Sequence, residues 1–155
     1  MLKGPDLIGG EESVGIGLSR HLPERDGLFP QPHLPHLLAT TGNGLTALIG
    51  ERWKEFGEFH YQRRDLHVRS DASQQLIGAL KEKPPKTFAR RSIDDIRTLD
   101  GLKLMLENDG WILFRRSGTE PVLRIYCEAP TETAVAEILE AGLKLVEQFA
   151  PSGVS

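Results

Sequence analysis

Arg115, Ser117, Gly118 and Thr119 stand close together in the run Arg115-Arg116-Ser117-Gly118-Thr119-Glu120-Pro121. These residue types suit a phosphate. A guanidinium offers a planar fork of donors that takes an oxyanion bidentately. The hydroxyls of Ser117 and Thr119 each donate to an oxygen. Gly118 lets the backbone approach closely and turn its N–H groups inward, and Pro121 stiffens the exit. Nothing in the run is a nucleophile–base pair, so the chemistry on offer is holding rather than bond-making. The same residue types also build an ordinary solvated turn, and composition alone leaves that reading open.

A second stretch, Gly9-Gly10-Glu11-Glu12-Ser13-Val14-Gly15-Ile16-Gly17, is rich in glycine but acidic. Carboxylates would repel a phosphate; they accept hydrogen bonds from neutral hydroxyls such as those of a sugar. A plain glycine-rich surface loop fits the same residues. His33 and His36 carry no metal reading, because Pro35 disturbs helical presentation and no acidic or cysteine ligand accompanies them. Asp94 and Asp95 read as a solvated face or a turn cap.

The elements that must position these runs follow from periodicity. Asp6-Leu7-Ile8 is a short strand candidate entering the glycine-rich loop, which runs from Gly9 to Gly17. Pro30, Pro32 and Pro35 interrupt the next apolar patch, so a helix there is expected to start after Pro35. Leu45, Leu48, Ile49, Trp53 and Phe56 recur at helical spacing, with Gly57 as the stop. Residues 59–68 read as extended, with Arg63, Arg64 and Asp65 interleaved. Ser70-Asp71 caps a helix presenting Leu76, Ile77 and Leu80. Residues 81–86, with paired prolines, read as a linker. Beyond Phe88 the pattern turns to short strands. Leu102, Leu104 and Leu106 alternate with Lys103, Met105 and Glu107, Asn108-Asp109-Gly110 is a hairpin signal, and residues 111–114 return. Residues 122–128 place Leu123, Ile125 and Cys127 on one face and Arg124, Tyr126 and Glu128 on the other. Thr131 caps a last helix striped by Val135, Ile138, Leu139, Val146 and Phe149. The expected class is α+β, a C-terminal antiparallel sheet flanked by helices.

Composition sets the bounds. The 155 residues suffice for one ordinary domain or two small ones. Acids outnumber bases, 22 to 19, which argues against a nucleic-acid partner. No apolar run is long enough to cross a membrane. The single cysteine excludes an intrachain disulfide, and a reducing cytoplasmic setting is expected. The clustered glycines at the start read as an interior segment of a larger protein.

Arg115-x-Ser117-Gly118-Thr119-Glu120-Pro121-x-x-Arg124, followed by Tyr126-x-Glu128-Ala129, resembles the phosphate-binding loop in the last domain of the α-D-phosphohexomutases. These are the phosphoglucomutases, phosphomannomutases and their aminosugar relatives. The resemblance reaches back through Leu99-Asp100-Gly101-Leu102-Lys103 and forward into the last helix. It implies that Arg115, Ser117, Gly118 and Thr119 grip the phosphate that is not being transferred. The run from Gly9 resembles the family's sugar-binding loop, usually Gly-Gly-Glu-x-Ser-Gly, which assigns the sugar hydroxyls to Glu11 and Ser13. Val14 stands where that pattern has glycine. His21-Leu22-Pro23-Glu24-Arg25-Asp26-Gly27 is similar to the segment near the reacting hydroxyl. Arg25 is a poor general base, so its implied role is electrostatic support for the transferred phosphoryl. His21 is the second residue given a supporting role, because histidine is the side chain suited to moving protons near neutral pH. Both are also common surface residues.

The resemblance places residues 1–60 at the end of the family's third domain, as a partial α/β segment, 61–87 as a connecting strand, helix and linker, and 88–155 as its fourth domain, of TATA-box-binding-protein-like fold. Separated from the rest of a third domain, residues 1–60 are expected to leave a strand edge unpaired and an apolar helix face uncovered. The family's phosphoserine segment and its aspartate-rich Mg²⁺ run are absent from the sequence. The expectation is a C-terminal part of a hexose phosphate mutase, an isomerase acting by intramolecular phosphotransfer. It would bind a hexose phosphate or bisphosphate, hold no cofactor itself, rely on Mg²⁺ and N-terminal domains of the intact enzyme, and be inactive alone. A non-catalytic phosphosugar-binding or regulatory module is the alternative.

Overall fold

The computed structural model describes residues 8–10, 15–19, 28 and 31–150. The chain divides into two compact units, residues 1–52 and 53–155.

In the first unit, β1 (Ile8–Gly10) pairs antiparallel with β2 (Ile16–Leu18), Ile8 opposite Leu18 and Gly10 opposite Ile16. The loop expected from Gly9 to Gly17 is therefore shorter, because both its ends are strand. Helix α1 (His33–Thr41) begins two residues before Pro35 rather than after it. Pro35 occupies the first turn, where backbone N–H groups have no acceptor within the helix, so its missing donor costs nothing. Helix α2 (Leu45–Phe56) ends as its spacing predicts, with the Gly57 N–H donating to the Trp53 carbonyl at 2.9 Å. Neither helix contains a buried residue, and Leu34, Leu37, Leu45 and Ile49 are exposed, which matches the expected uncovered apolar face.

The second unit contains β3 (His60–His67), α3 (Ser70–Glu82), β4 (Thr87–Phe88), β5 (Arg91–Arg97), β6 (Leu102–Leu106), β7 (Trp111–Arg116), β8 (Val122–Ala129) and α4 (Glu132–Phe149). Its sheet is ordered β3-β8-β7-β6-β5-β4, and every neighbouring pair is antiparallel. Residues 61–87, expected as a connecting strand, helix and linker, contain an edge strand and a helix that packs into this unit. Leu66, Leu76, Ile77 and Leu80 are buried in its core. Helix α3 also lacks the expected serine cap: Arg69 precedes the first turn, Ser70 is already helical, and no side chain caps it.

Alternation decides which face is dry. Leu102, Leu104 and Leu106 of β6 are buried, as are Ile112 and Phe114 of β7 and Leu123, Ile125 and Cys127 of β8. All join Val135, Ile138, Leu139 and Val146 of α4 in one cluster. Successive strand residues point to opposite faces, so Arg115, Arg124, Tyr126 and Glu128 leave the sheet on the side away from this core. The β6–β7 turn holds Asn108 and Asp109 at φ 60° and 58°, the left-handed pair a tight hairpin requires. Thr131 caps α4, its hydroxyl accepting from the Ala134 N–H at 3.1 Å. Gly142 lets α4 settle onto the sheet, since a Cβ there would lie 2.7 Å from Ile112 Cδ1. Burial pushes the Cys127 thiol up to about 12, in keeping with a small core residue.

Candidate functional site

The β7–β8 hairpin builds the loop. Its last register pairs set Arg115 opposite Arg124 and Arg116 opposite Leu123. The Ser117 N–H donates to the Val122 carbonyl at 2.9 Å, and the Val122 N–H to the Glu120 carbonyl at 2.8 Å. The Pro121 carbonyl accepts from the Val68 N–H at 3.0 Å, which ties the loop exit to the junction of β3 and α3. Root and exit are thus fixed, while Gly118, Thr119 and Glu120 lie exposed.

Among the described residues, the backbone N–H groups of Gly118, Thr119 and Glu120 have no hydrogen-bond partner, and neither do the hydroxyls of Ser117 and Thr119. Gly118 is also free of internal demands. Its φ is outside the left-handed region, and a Cβ placed on it meets nothing within 4 Å. The protein itself leaves open space there.

Charge gathers behind the loop. Arg115 Nε lies 2.9 Å from Asp100 Oδ2. A hydrogen bond to the Tyr126 side chain, followed by the charge of Asp100, raises the Arg115 pKa above its ordinary value, so the guanidinium stays ionised. Arg124 faces Asp65 at 3.7 Å and Glu120 at 3.8 Å. Asp65 accepts two hydrogen bonds from Arg63, both at 2.7 Å, and that pairing holds its pKa below the usual carboxylate value. The Arg63 guanidinium also lies over the Tyr126 ring, 5.3 Å from its centre. Three guanidiniums are thus matched by three carboxylates, Asp65, Asp100 and Glu120. Arg124 Nε is buried and makes no hydrogen bond.

Of the residues singled out from sequence, Arg115, Ser117, Gly118 and Thr119 come together on this one hairpin. Glu11, Ser13, His21 and Arg25 lie outside the described residues. Asp100, Tyr126, Arg63 and Asp65 join the site without having been singled out for it. In the sequence, Asp100 and Tyr126 stand only as parts of a motif, and Arg63 and Asp65 only as interleaved charges. His33 and His36 are exposed on α1, and no group of three or more His, Cys, Asp or Glu side chains that could hold a metal ion occurs among the described residues. No helix among those residues is long and apolar enough to cross a membrane.

Two family models match separate parts of the chain. Residues 1–56 match the family model described as phosphoglucomutase/phosphomannomutase, alpha/beta/alpha domain III. Residues 74–144 match phosphoglucomutase/phosphomannomutase, C-terminal domain. A phosphoglucomutase/phosphomannomutase of Thermococcus kodakarensis is 34% identical over 148 residues, which are 96% of this chain and 30% of the relative. A probable phosphoglucosamine mutase of Pyrococcus abyssi is 31% identical over 149 residues, 95% of this chain and 31% of the relative. Among solved structures, a phosphoglucomutase/phosphomannomutase family protein from Burkholderia thailandensis superposes with a TM-score of 0.71 at 23% identity, covering 95% of this chain and 29% of its own. At that identity the likeness speaks for the fold. The chain spans about 30% of the length of the curated relatives it matches.

Proposed function

The chain belongs to the phosphoglucomutase/phosphomannomutase family, and on that premise we propose that residues 115–121 hold the non-transferred phosphate of a hexose phosphate. The observation that carries this is the set of donors left free at the loop: three consecutive backbone N–H groups and two hydroxyls, beside the Arg115 guanidinium. Oxyanions are held by sets of N–H, O–H and guanidinium donors of this kind. The open space at Gly118 gives the anion a place to sit against the backbone.

The whole enzyme's reaction, in this reading, is an intramolecular phosphotransfer on a hexose phosphate, and this chain contributes recognition. Glu11 and Ser13 take the sugar hydroxyls, and Arg25 with His21 supports the phosphoryl being moved. Mg²⁺ in this reading is held by the family's aspartate-rich segment, which does not occur in this sequence, and no step is assigned to it. The N-terminal domains of the same enzyme are the partner, and the reducing cytoplasm is the setting, which suits a chain with one buried free thiol.

Titrating the isotope-labelled chain with glucose 1-phosphate, and separately with glucose, tests the loop reading. The amides of residues 117–120 should shift with the phosphosugar and stay in place with glucose. Equal responses to the two, or none to either, would overturn the assignment. Mutase turnover by the purified chain, free of contaminating enzyme, would overturn the division of labour.

A further inference from the structure

The geometry points to Asp100 as a positioning residue for the phosphate site: held against β7 by Gly101, it fixes the Arg115 guanidinium in the orientation the loop uses. This rests on the reading of residues 115–121 as that site.

The first observation is a close approach of backbones. Gly101, in the turn between β5 and β6, has φ +107°, a conformation L side chains rarely adopt. A Cβ there would lie 2.4 Å from the Phe114 carbonyl oxygen and 3.2 Å from Arg115 Cα. These are backbone atoms of a paired strand and cannot give way. Only glycine lets this turn lie directly on β7, and that places the preceding residue, Asp100, beside Arg115.

The second observation is what Asp100 does there. Its Oδ2 engages Arg115 Nε at 2.9 Å, while the Tyr126 side chain engages the same guanidinium. Tyr126 is nearly buried, at 6% exposure, and rises from β8 one diagonal step from Arg115. The Arg115 side chain is 42% exposed and would otherwise sample many rotamers. An arginine has five N–H donors, so these two contacts restrain the group without exhausting it. The ordering cost that an incoming anion would meet is thereby lowered in advance.

Charge and positioning predict opposite signs, which makes the role testable. As a bare negative charge near an anion site, Asp100 would weaken binding, and its removal would strengthen it. As a positioning residue it strengthens binding, and its removal weakens it. We expect D100N to bind inorganic phosphate and glucose 1-phosphate about three- to tenfold more weakly, the range of one ordinary intramolecular hydrogen bond and smaller than that of a contact made to the ligand itself, read from the amides of residues 117–120. D100E, which keeps the charge but displaces it, should fall between. The Arg115 Nε–H resonance should exchange slowly in the unmodified chain and quickly in D100N. Unchanged or tighter binding by D100N, or rapid Nε–H exchange in the unmodified chain, would overturn the inference. If D100N loses amide dispersion, D100E decides: affinity equal to or above that of the unmodified chain overturns the role. A failure of the unmodified chain to bind either ligand strikes the phosphate reading instead, and the Nε–H exchange still reports on Asp100 separately.

Discussion

Arg115 and Arg124 stand directly opposite each other across the β7–β8 ladder, on the face of the sheet away from α3 and α4. Like charges in that position repel, and Asp100 on one side with Asp65 and Glu120 on the other offset the repulsion. The pair keeps guanidinium donors at the root of an exposed loop. Arg115→Ala should therefore weaken glucose 1-phosphate binding by about tenfold or more, the effect of losing hydrogen bonds to a charged group. Arg115→Lys should recover only part, because an ammonium lacks the planar fork. Isothermal calorimetry on the two variants checks both, and undiminished affinity in Arg115→Ala would exclude the assigned role.

Gly118 separates binding from stability. A Cβ at this position would have no protein atom within 4 Å, and the backbone is not in the left-handed region. Gly118→Ala should leave the stability read from chemical denaturation within about 0.5 kcal/mol of its original value, as surface changes usually do. Phosphosugar affinity should fall, because the added methyl occupies the space proposed for the anion. A stable variant with full affinity would place the anion elsewhere.

Gly142 shows the reverse pattern. It is buried, and a Cβ there would meet Ile112 Cδ1 at 2.7 Å, with Ile125 and Phe114 each at 3.7 Å. Ile112 is fully buried among core side chains, so it has little room to move aside. Gly142→Val should cost about 1–3 kcal/mol in chemical denaturation, the usual penalty for overpacking a core. A stability equal to that of the unmodified chain would mean that α4 does not rest on the sheet at this point.

Cys127 supplies a pH signature. Its thiol is raised from 9.0 to about 12 by burial. Above pH ~9 the unfolded chain releases this proton while the folded chain keeps it, so stability should fall as pH rises through that window. Cys127→Ala should lose this part of the alkaline decline. Native Cys127 should also react with Ellman's reagent only as fast as the unit opens, since the thiolate is the reactive form and is rare in the fold. Rapid reaction under native conditions would contradict the burial.

Much of this is written locally in the chain. The alternation of Leu102, Leu104 and Leu106, the turn at Asn108-Asp109, the Thr131 cap and the apolar stripe of α4 each depend on neighbours a few residues apart, which sequence spacing displays directly. The side of β8 on which Cys127 lies follows from the same two-residue period. The start of α1 is not legible in this way, because a proline in the first turn resembles a breaker until the helix register is known. Strand β5 is equally hard to see. Its pairing register shifts between Ile93 and Asp95, and a shift of one residue disrupts the alternation that marks a strand.

Residue type and spacing made Arg115, Ser117, Gly118 and Thr119 candidates for holding an oxyanion, since they lie so near one another that a single hairpin brings them together. What surrounds them was settled by packing. That β3 closes the sheet beside β8, putting Asp65 at Arg124, depends on pairing between segments far apart in the chain. That Asp100 reaches Arg115 depends on Gly101 lying against the backbone of a strand to which it is not adjacent in sequence. Chemical capacity travels with the side chain itself, whereas the orientation of a guanidinium is set by contacts that exist only once distant strands have packed.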